Sequence, residues 1–280
     1  MTVQSEKIKL SADFIRSRFP KKFKPELSII TGNIPELAKN FKSLGELKYS
    51  EIPEFRSSDK SGIPGKIIFA KSRKKDILFY SGRPHYFDGV DMRSIGHRIY
   101  TLKELGIKKI ISIDETAHLN PRFGCGELAL IYDHINLMGD NPLIGKNDDD
   151  LGLRFPDMSN AYSKDLYKTV YKIFQENKLR INESVYLGIT GPESETEAEA
   201  RFYREIGSDV LGYSMVPENI TSVHCGIQFA GLGLISRELI ADKMLEDNLS
   251  RRQKEKEQAK NLDTAVGLLR KILTEIADNI

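Results

Sequence analysis

The chain has 280 residues and a mass of 31.7 kDa, and its 40% hydrophobic and 29% charged residues are the proportions of a globular protein. Its 42 basic residues stand against 40 acidic ones, so no excess of positive charge predicts a nucleic acid or a membrane surface as partner. The two cysteines, Cys125 and Cys225, are too few for a disulfide framework. Together with the polar start of the chain, they predict buried thiols in a cytoplasmic protein.

The first part of the chain predicts a short helical extension and then strands. Residues 1–24 form the extension, and residues 27–31 form a strand that ends at the turn signal Gly32-Asn33. Residues 66–70 and 77–80 flank a polar stretch and predict a hairpin. Residues 92–105 repeat apolar side chains at spacings of three and four, which predicts a helix.

The second part predicts strands that alternate with helices. Strands are expected at 109–113, 128–132, 185–189, 210–213 and 228–235, and helices at 166–174, 195–206 and 217–223. Several strands are continuous apolar runs, which is typical of strands covered on both faces. The last helix, within 250–280, repeats apolar residues and is expected to pack on the sheet. The charge run at 251–260 predicts a solvated helix face or a connector.

Two features bear on organisation and function. Residues 136–157 are rich in Gly, Pro, Asn and Asp, and a long loop of this kind inside a domain is often functional. No linker divides the chain, so we expect one α/β domain over residues 1–280. His118 is expected in a turn, and no Ser/His/Asp, Cys/His or metal-ligand spacing is present.

The sharpest local motif is Ser81-Gly82-Arg83-Pro84-His85, directly after a predicted strand. Arg83 and His85 can donate hydrogen bonds to an anion at the carboxyl end of a strand. Spacing alone leaves open a surface arginine and a loop histidine. A second motif, GPESET at residues 191–196, also joins a strand to a helix, and its carboxylates, including Glu195, could instead cap that helix.

Taken together, these segments resemble the trimeric purine nucleoside phosphorylases that cleave inosine and guanosine. The resemblance runs from about Ile29 to the last helix. It is carried by DHINLMGDNPL at 133–143, RFPDMS at 154–159, GRPH at 82–85, LNP at 119–121, GP at 191–192, VPE at 216–218 and HCG at 224–226.

The resemblance implies one α/β domain around a mixed, partly barrel-like sheet with flanking helices. It also implies a homotrimer that cleaves the N-glycosidic bond of purine ribonucleosides or deoxyribonucleosides with inorganic phosphate. The products would be the free base and ribose or deoxyribose 1-phosphate. No metal or organic cofactor is implied.

The resemblance also implies which residues form the site. Arg83, His85 and Ser214 match phosphate ligands, and Glu195 matches the carboxylate that accepts the purine N1–H. Phe155 matches a residue that enters the neighbouring subunit's pocket. Tyr186 and Tyr213 belong with the nucleoside-binding positions. The catalytic set would be Arg237, Glu195 and His85.

Other positions depart from the family pattern. Asn33 and Ile63 replace a serine and a histidine of the phosphate loops, and Glu115 replaces a small residue beside phosphate. Ser194 and Phe87 replace a phenylalanine and a tyrosine that contact the nucleoside. Arg237 replaces the asparagine that binds purine N7. Arg251 stands near the position of a histidine that binds the 5′-hydroxyl.

Three functions remain open on these residues. The chain is an active purine nucleoside phosphorylase with a remodelled base site, a relative that takes a different nucleoside, or a weak or inactive trimer that binds a ligand or partner. If Arg237 pairs with Glu195, we expect it to occupy the purine site.

Overall fold

The computed structural model describes residues 2–32, 34–55, 65–244 and 249–280. Its strands, in chain order, are β1 Leu27–Thr31, β2 Lys42–Lys48, β3 Lys66–Lys71, β4 Asp76–Ser81, β5 Lys109–His118, β6 Leu128–Asn136, β7 Asn182–Gly188, β8 Val210–Gly212 and β9 Gln228–Glu238. Its helices are α1 Val3–Ser17, α2 Met92–Glu104, α3 Lys164–Glu176, α4 Glu197–Glu205, α5 Met215–His224, α6 Ala241–Met244 and α7 Arg251–Asn279.

The strands form one mixed sheet in the order β2-β3-β4-β1-β5-β8-β7-β6-β9. β5 pairs with β9 as well, in parallel, and this contact closes the last five strands into a barrel. The strands β4, β1, β5 and β9 run parallel to one another, so their carboxyl ends lie at the same edge. That edge carries Arg83, just after β4, and Arg237, near the end of β9.

Helices cover the sheet on two sides. On one side α1, α2 and α5 bury Ile15, Ile99 and Ile220 against strand residues. On the other side α3 and α7 pack against the sheet through residues such as Phe174 and Leu269. Continuous burial of β1 on both faces follows from these two layers. Among the described residues, no helix is both long and apolar enough to cross a bilayer.

Most predicted elements are confirmed, and their bounds differ by a few residues. The 66–71/76–81 hairpin is present, α2 covers the predicted helix, and α7 packs on β9. The charge run at 251–260 is the exposed first part of α7. No helix or strand occurs between the end of β6 at Asn136 and α3 at Lys164, as expected for the long loop.

Three expectations are wrong. β2 was not predicted, and β5 continues five residues beyond the predicted end, so His118 ends a strand rather than lying in a turn. Cys125 is only half-buried, whereas Cys225 is buried as expected; both thiols are free. β5 continues past its apolar run because β8 and β9 supply backbone partners for residues 114–118.

Candidate active site

Arg83 lies at the centre of a buried ion-pair network directly after β4. Its Nε and Nη2 donate to the two carboxylate oxygens of Glu218 in α5, at 2.7 and 3.1 Å. Its Nη1 donates to Asp114 Oδ1 at 3.0 Å and to the carbonyl oxygen of Ile113 at 3.1 Å. Ser112 Oγ lies 2.6 Å from Nη2. The five N–H groups of the guanidinium are therefore all engaged within the protein.

Two carboxylates thus surround this one buried cation. Burial raises the pKa of Glu218, and the charge and hydrogen bonds of Arg83 offset only part of that effect. Burial acts to lower the pKa of Arg83, but Glu218 and Asp114 outweigh it, so the guanidinium stays charged. The positive charge of Arg83 is already compensated, and its role as a phosphate ligand stays a prediction.

Ser214 and His85 each keep a buried polar atom that makes no hydrogen bond to the described residues. Ser214 precedes α5 and is 5% exposed. His85 stacks on Phe87 with ring centroids 4.5 Å apart, and its Nδ1 lies 3.5 Å from the Asp88 carboxylate. Burial lowers the pKa of His85, so its imidazole is neutral at pH 7 and has one N–H to donate. Because buried polar atoms are normally paired, these two mark a place for a polar ligand.

Tyr186 joins the Arg83 network through Asp114. Its Oη donates to Asp114 Oδ2 at 2.6 Å and accepts from the backbone N–H of Ser214 at 3.1 Å. Gly212 permits this approach, because a Cβ there would lie 2.7 Å from Asp114 Oδ2 and would also meet Tyr186 Oη. The fully buried Tyr186 therefore positions Asp114 and Ser214.

Arg237 and Glu195 form an ion pair with two hydrogen bonds. Arg237 Nη1 lies 2.7 Å from Glu195 Oε2, and Nη2 lies 3.0 Å from Oε1. Tyr213 closes the group, since its Oη accepts from Nη2 at 2.9 Å and donates to Oε1 at 2.8 Å. Burial acts to raise the pKa of Glu195, but Arg237 outweighs it and holds that pKa below its usual value. A pair with this geometry is pre-organised and charged.

Gly191 makes room for this group on the strand-to-helix connection. Its φ is +63°, a conformation that favours glycine, and a Cβ there would lie 3.1 Å from the ring of Tyr213. Glu195 lies before α4 and does not cap it. Thr196 accepts from the backbone N–H of Glu199, whose carboxylate accepts from that of Thr196 at 2.7 Å. The alternative that Glu195 caps this helix is therefore wrong.

The site can now be set beside known proteins. The model of the phosphorylase superfamily matches residues 28–276. Purine nucleoside phosphorylase 1 of Bacillus subtilis is 38% identical over 232 residues, which are 82% of this chain and 85% of that protein. This chain belongs to the purine nucleoside phosphorylase family. The mouse purine nucleoside phosphorylase is 32% identical over 226 residues, 79% of this chain and 78% of that protein.

Solved structures agree with this assignment. A crystal structure of Schistosoma mansoni purine nucleoside phosphorylase in complex with inosine has a TM-score of 0.90 and 28% identity, covering 100% of this chain and 98% of that chain. The complex of a purine nucleoside phosphorylase from the same organism with adenosine has a TM-score of 0.90 and 29% identity, covering 100% and 99%. The predicted family and the predicted mixed, partly barrel-like fold are confirmed.

Several positions expected from the phosphorylase pattern lie apart from these two groups. Glu115 accepts from Gln258 Nε2 of α7 at 2.8 Å, and as the neighbour of Asp114 in a strand it projects to the opposite face. Ser194 is exposed, and Arg251 pairs with Glu255 at the exposed start of α7. Asn33 and Ile63 lie outside the described residues.

Two aromatic residues expected in the nucleoside site are exposed at its rim. Phe87 is 36% exposed and packs edge-on against Tyr213, with ring centroids 5.8 Å apart. Phe155 is 85% exposed on the long loop after β6. Phe87 thus lies beside the Arg237 group, whereas Phe155 makes its expected contribution only in a neighbouring subunit, which stays a prediction.

The sequence did not identify the partners of Arg83. Asp114 follows directly on the buried run of β5, and Glu218 is the one carboxylate in the otherwise uncharged first turns of α5. A carboxylate inside an apolar run is rarely left unpaired, because burying a lone charge is costly. That signal marks both residues as buried and paired, but only the fold places them beside Arg83.

Proposed function

We propose that this chain is a purine nucleoside phosphorylase. It cleaves the N-glycosidic bond of purine ribonucleosides or deoxyribonucleosides with inorganic phosphate and releases the base and the sugar 1-phosphate. The observation that carries the proposal is the likeness to proteins named purine nucleoside phosphorylase along 82% of the chain. Inorganic phosphate is the co-substrate, and the proposal assigns no metal or organic cofactor.

The geometry supports this reaction with two groups of residues at one edge of the sheet. Ser214 Oγ and His85 supply polar atoms for phosphate oxygens near Arg83. As the phosphate oxygen bonds to C1′ of the sugar, the C1′–N9 bond breaks and its electrons pass to the purine. The Arg237 group lies where that negative charge needs hydrogen-bond donors, which is the arrangement that lowers the barrier of such a step.

The proposal extends to assembly and location. Phe155, exposed on the long loop, supports a homotrimer in which each subunit completes a neighbour's nucleoside site. A cytoplasmic location remains a prediction from the composition of the chain.

A weak or inactive trimer that binds a ligand is the second candidate, and the Arg237–Glu195 pair favours it. Arg237 already engages both oxygens of the carboxylate that was expected to hold the purine. The same pair supports a third function, the cleavage of a different nucleoside. These functions differ in what the chain cleaves rather than in its fold.

A substrate panel tests the proposal. Base release is measured from inosine, guanosine, adenosine and xanthosine, each with and without phosphate, at equal enzyme concentration. We expect phosphate-dependent release from inosine and guanosine. Release from xanthosine alone supports a changed specificity. No release from any of the four contradicts the proposed function and leaves the ligand-binding trimer.

A further inference from the structure

The Glu195 carboxylate has no capacity left for a base. Oε2 accepts from Arg237 Nη1, and Oε1 accepts from both Arg237 Nη2 and Tyr213 Oη. The side chain is 1% exposed. A purine N1–H would have to displace one of these charge-assisted bonds, and a buried ion pair resists such separation.

Arg237 has donors left, in contrast to Glu195. Three contacts engage its Nη1 and Nη2 groups. Its Nε–H and the second hydrogen of Nη1 make no hydrogen bond to the described residues, and the side chain is 25% exposed. The open part of this group therefore presents hydrogen-bond donors and a guanidinium charge.

We propose that Arg237 recognises the base and that Glu195, with Tyr213, is a positioning residue that holds the guanidinium in place. This inference rests on the proposed function and names its substrate class, the 6-oxopurine nucleosides. Purine N7 and O6 are acceptors that match an arginine donor, whereas the 6-amino group of adenine is itself a donor. The N1 position of the base is then left without a protein partner.

Substitution at N1 separates this arrangement from one in which Glu195 binds N1–H. We compare kcat/KM for inosine, 1-methylinosine and adenosine at saturating phosphate. We expect 1-methylinosine to stay within about threefold of inosine, since no hydrogen bond is lost. Adenosine should fall by roughly 10- to 100-fold, since one donor then opposes another. A loss of about 100-fold or more for 1-methylinosine overturns the inference, because it means that N1–H binds a buried carboxylate.

Two variants test the positioning role. Arg237→Asn releases Glu195, which can then accept N1–H, so a preference for inosine over 1-methylinosine of about tenfold or more should appear. Glu195→Gln keeps one acceptor for Arg237, so kcat/KM should fall while the ratio of the two substrates stays near that of the parent. A ratio that does not change in Arg237→Asn contradicts the proposal. Arg201→Asn, which breaks an exposed Arg–Glu pair on α4, is the matched control and should leave the ratio unchanged.

Binding of the free bases keeps this test independent of catalysis. Hypoxanthine and 1-methylhypoxanthine are titrated into the parent and into Arg237→Asn by calorimetry. If the parent binds both bases with similar affinity but cleaves no nucleoside, the proposed function fails and the inference stands. If hypoxanthine binds only to Arg237→Asn, or to neither protein, Arg237 does not recognise the base and the inference is wrong.

Discussion

The charge around Arg83 determines how the chain can hold phosphate. The guanidinium donates to Glu218 and Asp114, so one positive charge faces two carboxylates in a buried setting. A phosphate dianion that approaches Ser214 and His85 therefore meets little net attraction. We expect phosphate to bind weakly, mainly through hydrogen bonds rather than charge.

Replacing Asp114 with asparagine should strengthen phosphate binding. Asp114→Asn removes one negative charge beside Arg83 and keeps a side-chain oxygen for its Nη1, so the KM for phosphate should fall on the order of tenfold. Steady-state kinetics with varied phosphate at saturating inosine measures this change. Asp13→Asn on the exposed face of α1 is the control. An unchanged or higher KM in Asp114→Asn means that Arg83 does not serve phosphate.

Secondary-structure elements were predictable where burial fixed their pattern. β1 and α2 carry apolar runs or a helical period, and both were found near their predicted bounds. β2 was missed because six of its seven residues are exposed, and its structure comes from backbone pairing with β3. The pairing of Arg237 with Glu195 joins residues 42 positions apart in the chain, and local sequence could propose that pairing but not establish it.

The packing of α1 on α2 should make the fold sensitive to acid. His97 of α2 lies 2.8 Å from Ser11 Oγ of α1, and burial lowers its pKa from 6.5 to about 4. Because the unfolded chain takes up a proton near pH 6.5 and the folded chain only near pH 4, stability falls as pH drops through that window. The loss from this residue is about 3 kcal/mol, at roughly 1.4 kcal/mol per pKa unit.

His97→Gln should remove that part of the acid sensitivity. Urea unfolding of parent and variant is followed at pH 7 and at pH 4.5, at one protein concentration. The parent should lose more free energy of unfolding between the two pH values than the variant does. Equal losses in the two proteins would show that His97 is not responsible.

The whole molecule presents apolar surface that a monomer would rarely expose. The long loop after β6 carries Leu153, Phe155 and Ile144, which are 76%, 85% and 60% exposed. Clustered apolar side chains of this kind are typical of protein–protein contacts. They support the proposed homotrimer.

Light scattering should give three times the chain mass of 31.7 kDa. Phe155→Ala should raise the KM for inosine, while the fold of each subunit is kept because this side chain is exposed in the isolated chain. Co-expression of Phe155→Ala with Arg237→Ala should restore part of the activity, since mixed trimers contain sites with both residues intact. A monomer at micromolar concentration, or no recovery on mixing, contradicts the shared site.

Product identification by 31P NMR tests the central claim most directly. The purified chain is incubated with inosine and inorganic phosphate, and hypoxanthine is quantified in parallel. The account predicts that ribose 1-phosphate forms in equal amount to hypoxanthine and that base release stops when phosphate is omitted. Hypoxanthine released at the same rate without phosphate, with free ribose as the sugar product, would contradict it, and so would no release at all.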